Sequence, residues 1–136
     1  NAVIADEPKT DAASLEKLRA YRIDRAVDSV SCEHPALEWK AGAARTVALW
    51  DFGAKRNIAR ELVKRGCNVV TMPAQATAKE ILAQKPDGIM LSNGPGDPAE
   101  NTGIIRELGA LCGAGVPIFG ICLGHQLLAL ARGGNR

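Results

Sequence analysis

Apolar positions are organised unevenly along this chain, and the change comes near residue 45. Beyond it, short apolar runs alternate with stretches of helical spacing. Thr46–Phe52 (TVALWDF) is a run suited to a buried strand. Lys55–Arg65 sets Ile58 and Leu62 on one helical face with Ala59 and Val63 beside it, and it pairs Glu61 with Arg65 at i,i+4. Gly66 stands where a helix stops. Asn68–Met72 predicts a second strand. Thr77-Ala-Lys-Glu80 has the form of a capping box, in which threonine and glutamate satisfy each other's free backbone donors, and it predicts a short helix through Ile81 and Leu82. Gly88–Ser92 predicts a third strand, followed by the loop Asn93–Pro98. Ile104, Ile105, Leu108, Leu111 and Cys112 trace the stripe of an amphipathic helix. Pro117–Ile121 predicts a fourth strand, and Leu123–Ala131 a largely apolar helix.

Four strands alternating with four helices imply right-handed crossovers and a parallel sheet with helices on both faces. The predicted class is doubly wound, flavodoxin-like α/β; if its four strands lie in the order 2-1-3-4, the loop after the third strand faces the turn after the fourth. The preceding residues are patterned poorly. Val3 and Ile4 suggest a short strand, and Ser14–Tyr21 a helix with Leu15 and Leu18 facing inward. His34-Pro35 and Ala41–Ala44 read as linker. We therefore expect two parts, residues 1–44 as a lead-in and residues 45–136 as the α/β portion.

Bulk properties narrow the function. At 136 residues the chain can form one domain with a real core, and hardly two. It is 46% hydrophobic and 24% charged, an ordinary globular balance, and its net charge of +2 argues for neither nucleic acid nor a membrane surface. No signal peptide or membrane-length apolar run stands out. Cys32, Cys67, Cys112 and Cys122 lack metal-ligand spacing and the density of a secreted disulfide scaffold, so no metal site and a reducing, cytoplasmic setting are expected. The first residue is Asn1, and we expect a piece of a longer protein.

In doubly wound sheets ligands bind beyond the carboxyl ends of the strands, near the point where strand order reverses. Three loops reach that edge: Asp51-Phe-Gly53, Asn93–Pro98 and the turn at Cys122. Gly120-Ile-Cys122-Leu-Gly124 has the G-x-nucleophile-x-G form of a nucleophile elbow, with cysteine in place of serine. A sharp strand-to-helix turn would lift the thiol clear of the sheet, at a helix N-terminus whose dipole favours thiolate. The N–H of Leu123 would then be free to donate to an oxyanion. The bland alternative is a buried core cysteine, which the paired glycines and the facing loop disfavour. Gly94-Pro-Gly96-Asp-Pro98 is neither a Walker loop nor G-x-G-x-x-G; its functional reading is a backbone donor at Gly94. His125 lies on the same helix as the elbow and is badly placed to serve as base. His34 reads as an exposed loop residue. Lys55, Arg56, Arg60, Lys64 and Arg65 read as a solvated helix face, with Lys55 the one member near the sheet edge.

The stretch Gly-Ile-Cys122-Leu-Gly-His-Gln126 resembles the nucleophile motif of class I glutamine amidotransferases. With Leu91-Ser-Asn-Gly-Pro-Gly-Asp-Pro98 and Asp51-Phe-Gly-Ala-Lys-Arg-Asn-Ile58, the likeness over residues 46–132 narrows to the small, glutamine-hydrolysing subunits of carbamoyl-phosphate synthetases. The resemblance implies that Cys122 attacks the side-chain amide of L-glutamine, that the amides of Gly94 and Leu123 hold the oxyanion, and that Gly96 and Gln126 help bind substrate. It implies an activating histidine and glutamate on a segment outside these residues. It further implies that the partner is a large synthetase subunit, with ATP and Mg used there and no cofactor here. Two other readings stand beside it. One is the glutaminase of another class I enzyme, such as anthranilate synthase, which the Asn93 and Asp97 flanks disfavour. The other is a non-catalytic flavodoxin-like module whose thiol senses redox state.

Overall fold

The computed structural model describes Ile4 and residues 11–134. Ala12–Ala20 (α1) and Ala36–Glu38 (β1) precede a run of alternating elements. These are Arg45–Asp51 (β2), Asn57–Lys64 (α2), Cys67–Pro73 (β3), Ala78–Ala83 (α3), Gly88–Leu91 (β4), Thr102–Cys112 (α4), Ile118–Gly120 (β5) and Leu123–Ala131 (α5). A 3₁₀ turn, Pro98–Glu100, separates β4 from α4.

The strands lie in the order β1-β3-β2-β4-β5. β2 to β5 are mutually parallel and meet the 2-1-3-4 condition under which the glycine loop faces the cysteine turn. Strand residues alternate between two apolar layers, as a period of two requires. Ala48, Trp50, Val70, Met72, Ile89 and Leu91 face the larger layer, where α3, α4 and α5 contribute Ile81, Ile104, Leu108, Leu111, Leu123 and Leu127. Leu49, Val69 and Met90 face the other, covered by Ala59, Ile58, Leu62 and Val63 of α2. The chain runs outward from β2 to β3, then reverses across β2 to β4 and β5. Its helices change face at that reversal, as uniform crossover handedness demands. Leu108 and Leu111 are wholly buried; truncating such a residue typically costs about 2–5 kcal/mol.

Local chemistry explains the element ends. Thr77 Oγ1 accepts from the Glu80 N–H at 3.3 Å while the Glu80 carboxylate accepts from the Thr77 N–H at 2.8 Å, the reciprocal pair its spacing predicts. Gly66 takes φ +86° after α2. α2 itself starts two residues later than its apolar spacing suggests; just before it the Lys55 N–H donates to the Asn93 side chain at 3.2 Å. The Trp50 ring donates to the carbonyls of Pro73 and Ala74 at 3.0 and 3.3 Å, so its one polar atom is satisfied inside the core.

The lead-in departs from expectation in three ways. α1 does form, capped by the Asp11 carboxylate on the Ser14 N–H. None of its residues is fully buried, however: Leu15, expected inward, is exposed, and Leu18 is half-buried. Between the expected linkers, β1 pairs antiparallel with β3, Leu37 opposite Val70, which makes the sheet mixed at this edge. All three β1 residues are exposed, so backbone hydrogen bonds rather than burial hold the strand. Residues 26–32 run along the carboxyl edge of the sheet, with Ala26 and Val27 buried. Of the strand expected at Val3 and Ile4, Val3 lies outside the described residues and Ile4 is exposed.

Candidate active site

Three loops meet at the carboxyl edge, and each is shaped by its own sequence. β5 ends at Gly120 and α5 begins at Leu123, so two residues make the turn. Cys122 occupies it with φ 51° and ψ −111°, a left-handed conformation that non-glycine residues seldom adopt. Close packing explains the flanking glycines. A Cβ on Gly120 would stand 2.5 Å from the His125 nitrogen, and one on Gly124 would stand 2.6 Å from both the Leu91 carbonyl and its Cβ. The elbow is therefore pressed onto the end of β4. Of the four cysteines, all free, Cys122 is the exposed one and the other three are half-buried.

The glycine loop after β4 lies beside this turn. Gly94 is wedged between the Phe52 carbonyl and the Leu123 side chain, whose Cδ2 would lie 2.7 Å from a Cβ there. Gly96 takes φ +88°, and its α-carbon faces the Ala26 methyl from the lead-in. Asp97 caps the following 3₁₀ turn through the Ala99 N–H at 3.0 Å, and the Asn101 amide donates to the Asp97 carbonyl at 3.0 Å. Neither the Gly94 nor the Leu123 N–H enters a backbone hydrogen bond among the described residues. Two donors thus stand unspent where the elbow and the loop adjoin.

A polar lattice braces the edge from below. The Asp51 carboxylate, almost fully buried, accepts from Gly53 and Ala54 N–H at 2.8 and 2.6 Å and from the Cys32 N–H at 2.8 Å. Ser92 is wholly buried; its hydroxyl accepts from the Phe52 N–H at 2.8 Å and donates to the Asn93 carbonyl at 2.7 Å. The Asn93 amide donates to the Gly53 carbonyl at 3.0 Å. Ser31 Oγ accepts from the Ala74 N–H at 2.8 Å. Asp51, Ser92 and the 26–32 strap are the residues to which sequence reading assigned no individual role. A signal existed for the first two: each is a polar residue closing an apolar strand run, where a buried side chain must find partners.

The expected site residues separate into two groups. Cys122, Leu123 and Gly94 come together at the edge, and Gly96 lies two residues further on, against Ala26. Gln126 is exposed one turn along α5, its N–H donating to the Cys122 carbonyl at 3.1 Å. His125 and His34 are both exposed. Lys55 touches the site region through its backbone rather than its ammonium.

The profile of the class-I glutamine amidotransferase family matches residues 48–135. This chain belongs to that family. It is 52% identical over 122 residues to the carbamoyl phosphate synthase small chain of Staphylococcus haemolyticus, covering 89% of this chain and 32% of the relative. Against the small chain of Escherichia coli K12 the identity is 42% over 151 aligned positions, covering 96% and 39%. Against that of Photobacterium profundum it is 58% over 87 residues, covering 64% and 23%. The chain thus spans about a third of the length of these curated relatives. A solved structure, assigned as a GMP synthase subunit from Thermoplasma acidophilum, shares the fold, with TM-score 0.56 and 26% identity over 65% of this chain and 45% of that one. No helix among the described residues is long and apolar enough to cross a membrane.

Proposed function

We propose that this chain is the nucleophile-bearing part of the glutaminase of a carbamoyl phosphate synthase, working in the cytoplasm. One observation carries the reading: an exposed cysteine held at positive φ on a strand-to-helix turn, beside two unspent backbone donors. Cys122 Sγ, as thiolate, attacks the side-chain carbonyl carbon of L-glutamine. The carbonyl electrons move onto oxygen, and the Gly94 and Leu123 amides receive that charge; one such donor is worth about 2.7–4 kcal/mol in the transition state. Collapse breaks the carbon–nitrogen bond, a general acid protonates the leaving nitrogen, and ammonia departs. Water then hydrolyses the thioester to glutamate. Gly96 and Gln126 hold the substrate. The acid–base work falls to a histidine and glutamate elsewhere in the protein, as the family resemblance implies. Ammonia passes to a large synthetase subunit, where ATP and Mg are used; this chain holds no cofactor.

The name shared by relatives at 42–58% identity supports the choice of synthase. The test is Cys122→Ser in the complete protein assembled with its partner. Glutamine-dependent carbamoyl phosphate formation should vanish while ammonia-dependent formation persists, because the thiol serves only to release ammonia. Loss of both activities together would refute this division of labour. Thiol labelling of Cys122 that glutamine fails to slow would favour the redox-sensing reading instead.

A further inference from the structure

Ser92 is wholly buried at the end of β4, yet every polar atom it owns is engaged at the site's foundations. Its N–H donates to the Trp50 carbonyl at 3.1 Å, which ties it to β2. Its carbonyl accepts from the Gly124 N–H at 3.1 Å, one residue past the Leu123 donor. Its hydroxyl bridges the Phe52 N–H, at 2.8 Å, and the Asn93 carbonyl, at 2.7 Å. That last bond has a geometric consequence. The Asn93 carbonyl and the Gly94 N–H belong to one planar peptide unit, trans in this structure, so fixing the direction of the first fixes the opposite direction of the second.

We infer that Ser92 is a positioning residue: its hydroxyl holds the Asn93–Gly94 peptide in the one orientation that presents the Gly94 N–H to the oxyanion. Without the hydroxyl the Asn93 carbonyl loses its inward donor, and the peptide is free to rotate. The Gly94 N–H would then leave the site, while Cys122 keeps its elbow and its exposure. Asn93 supports the same unit from outside, through its side-chain bonds to the Lys55 N–H and the Gly53 carbonyl. Glycine at 94 offers no Cβ to oppose such a rotation, so the restraint must come from its neighbours.

This inference rests on the glutaminase reading, and its test separates the two. In the complete protein with its partner, Ser92→Ala is compared with Ser92→Cys, which keeps the shape but donates poorly. Both are expected to lower kcat for glutamine hydrolysis by about 10²–10³-fold, the scale of losing one oxyanion donor. The glutamine KM should change little, because the neutral ground-state amide gains little from that donor. Alkylation of Cys122 by iodoacetamide, which forms no oxyanion, should proceed at the parent rate. A kcat within about threefold of the parent, far short of the loss of one donor, would overturn the assignment. So would variants that unfold, or that lose alkylation and kcat in parallel, since the hydroxyl would then hold the fold rather than the peptide. A parent protein that fails to hydrolyse glutamine at all would instead sink the glutaminase reading, and this inference with it.

Discussion

Cys122 keeps φ 51°, and its neighbours supply the constraint that makes this tenable for a residue with a side chain. The residues that matter most here are small or polar, and each is explained by a contact made far along the chain. Asp51 reaches back to Cys32, Ser92 to Phe52, Asn93 to Gly53. The Asp51 contact also affects thiol chemistry. Burial, and then the charge of the adjacent Asp51 carboxylate, push the Cys32 thiol up, so that its thiolate is disfavoured. Cys67 and Cys112 are half-buried. We therefore predict that iodoacetamide near neutral pH modifies Cys122 first. Peptide mapping by mass spectrometry reads this directly, and earlier modification of Cys32, Cys67 or Cys112 would contradict it. The elbow was legible as Gly-x-Cys-x-Gly because close approach at both flanks excludes a Cβ. Ser92 was illegible in its role, because a serine closing a strand says nothing of which backbone groups it will meet.

At the scale of elements, apolar spacing located β2 to β5 and α2 to α5 with ends displaced by a few residues at most. Burial on one or both faces stamps a period on such segments. β1 carries no stamp, since its three residues are exposed and its partners are backbone atoms of β3. α1 shows the converse: its spacing allowed an inward face, and none of its residues is fully buried. On α2, Glu61 bonds both Lys64 at 2.6 Å and Arg65 at 2.5 Å, which brings its carboxyl down to about 2. The sign follows from linkage. A carboxylate depressed by folding stabilises fully above its unfolded value, 4.5, and loses that contribution as pH falls through about 2. Glu61→Gln should therefore melt slightly below the parent near neutral pH, and the gap should close between pH 4.5 and about 2. The pair is solvent-exposed, so the gap will be small. A gap that widened on acidification would show that Glu61 stabilises α2 by some other means.

At the scale of the whole molecule, the lead-in strap is what turns three loops into one edge. Val30 approaches Gly53, Ala26 approaches Gly96, and Ser31 ties in the residue after β3. On the opposite face α2 covers β3 and β2, while Phe119 on β5 stays exposed. Both histidines are exposed, and no hydrogen bond joins either to Cys122 among the described residues. We accordingly predict that these 136 residues, purified alone, bind and slowly trap an electrophilic glutamine analogue at Cys122 without steady ammonia release. Acid–base assistance contributes about 10²–10⁴-fold, and its loss leaves turnover near background. Labelling stoichiometry and ammonia production, measured on one preparation, decide the matter. Robust release abolished by His125→Ala would make His125 the base after all.

The chain's own order of residues determined the α/β class, the four parallel strands, the capping box, the elbow and the glycine loop. These are local signals: burial periodicity, capping chemistry, and glycines forced by close approach. Tertiary structure alone decided the rest. It added an exposed edge strand, left α1 without a buried face, folded residues 26–32 along the site, and aimed the Ser92 hydroxyl at the peptide of Gly94. The edge strand and the Ser92 contact depend on which backbone donor or acceptor lies within about 3 Å in the folded state, and the other two on which surfaces pack together. A contact between groups far apart along the chain, such as Phe52 with Ser92, leaves no period behind in the sequence.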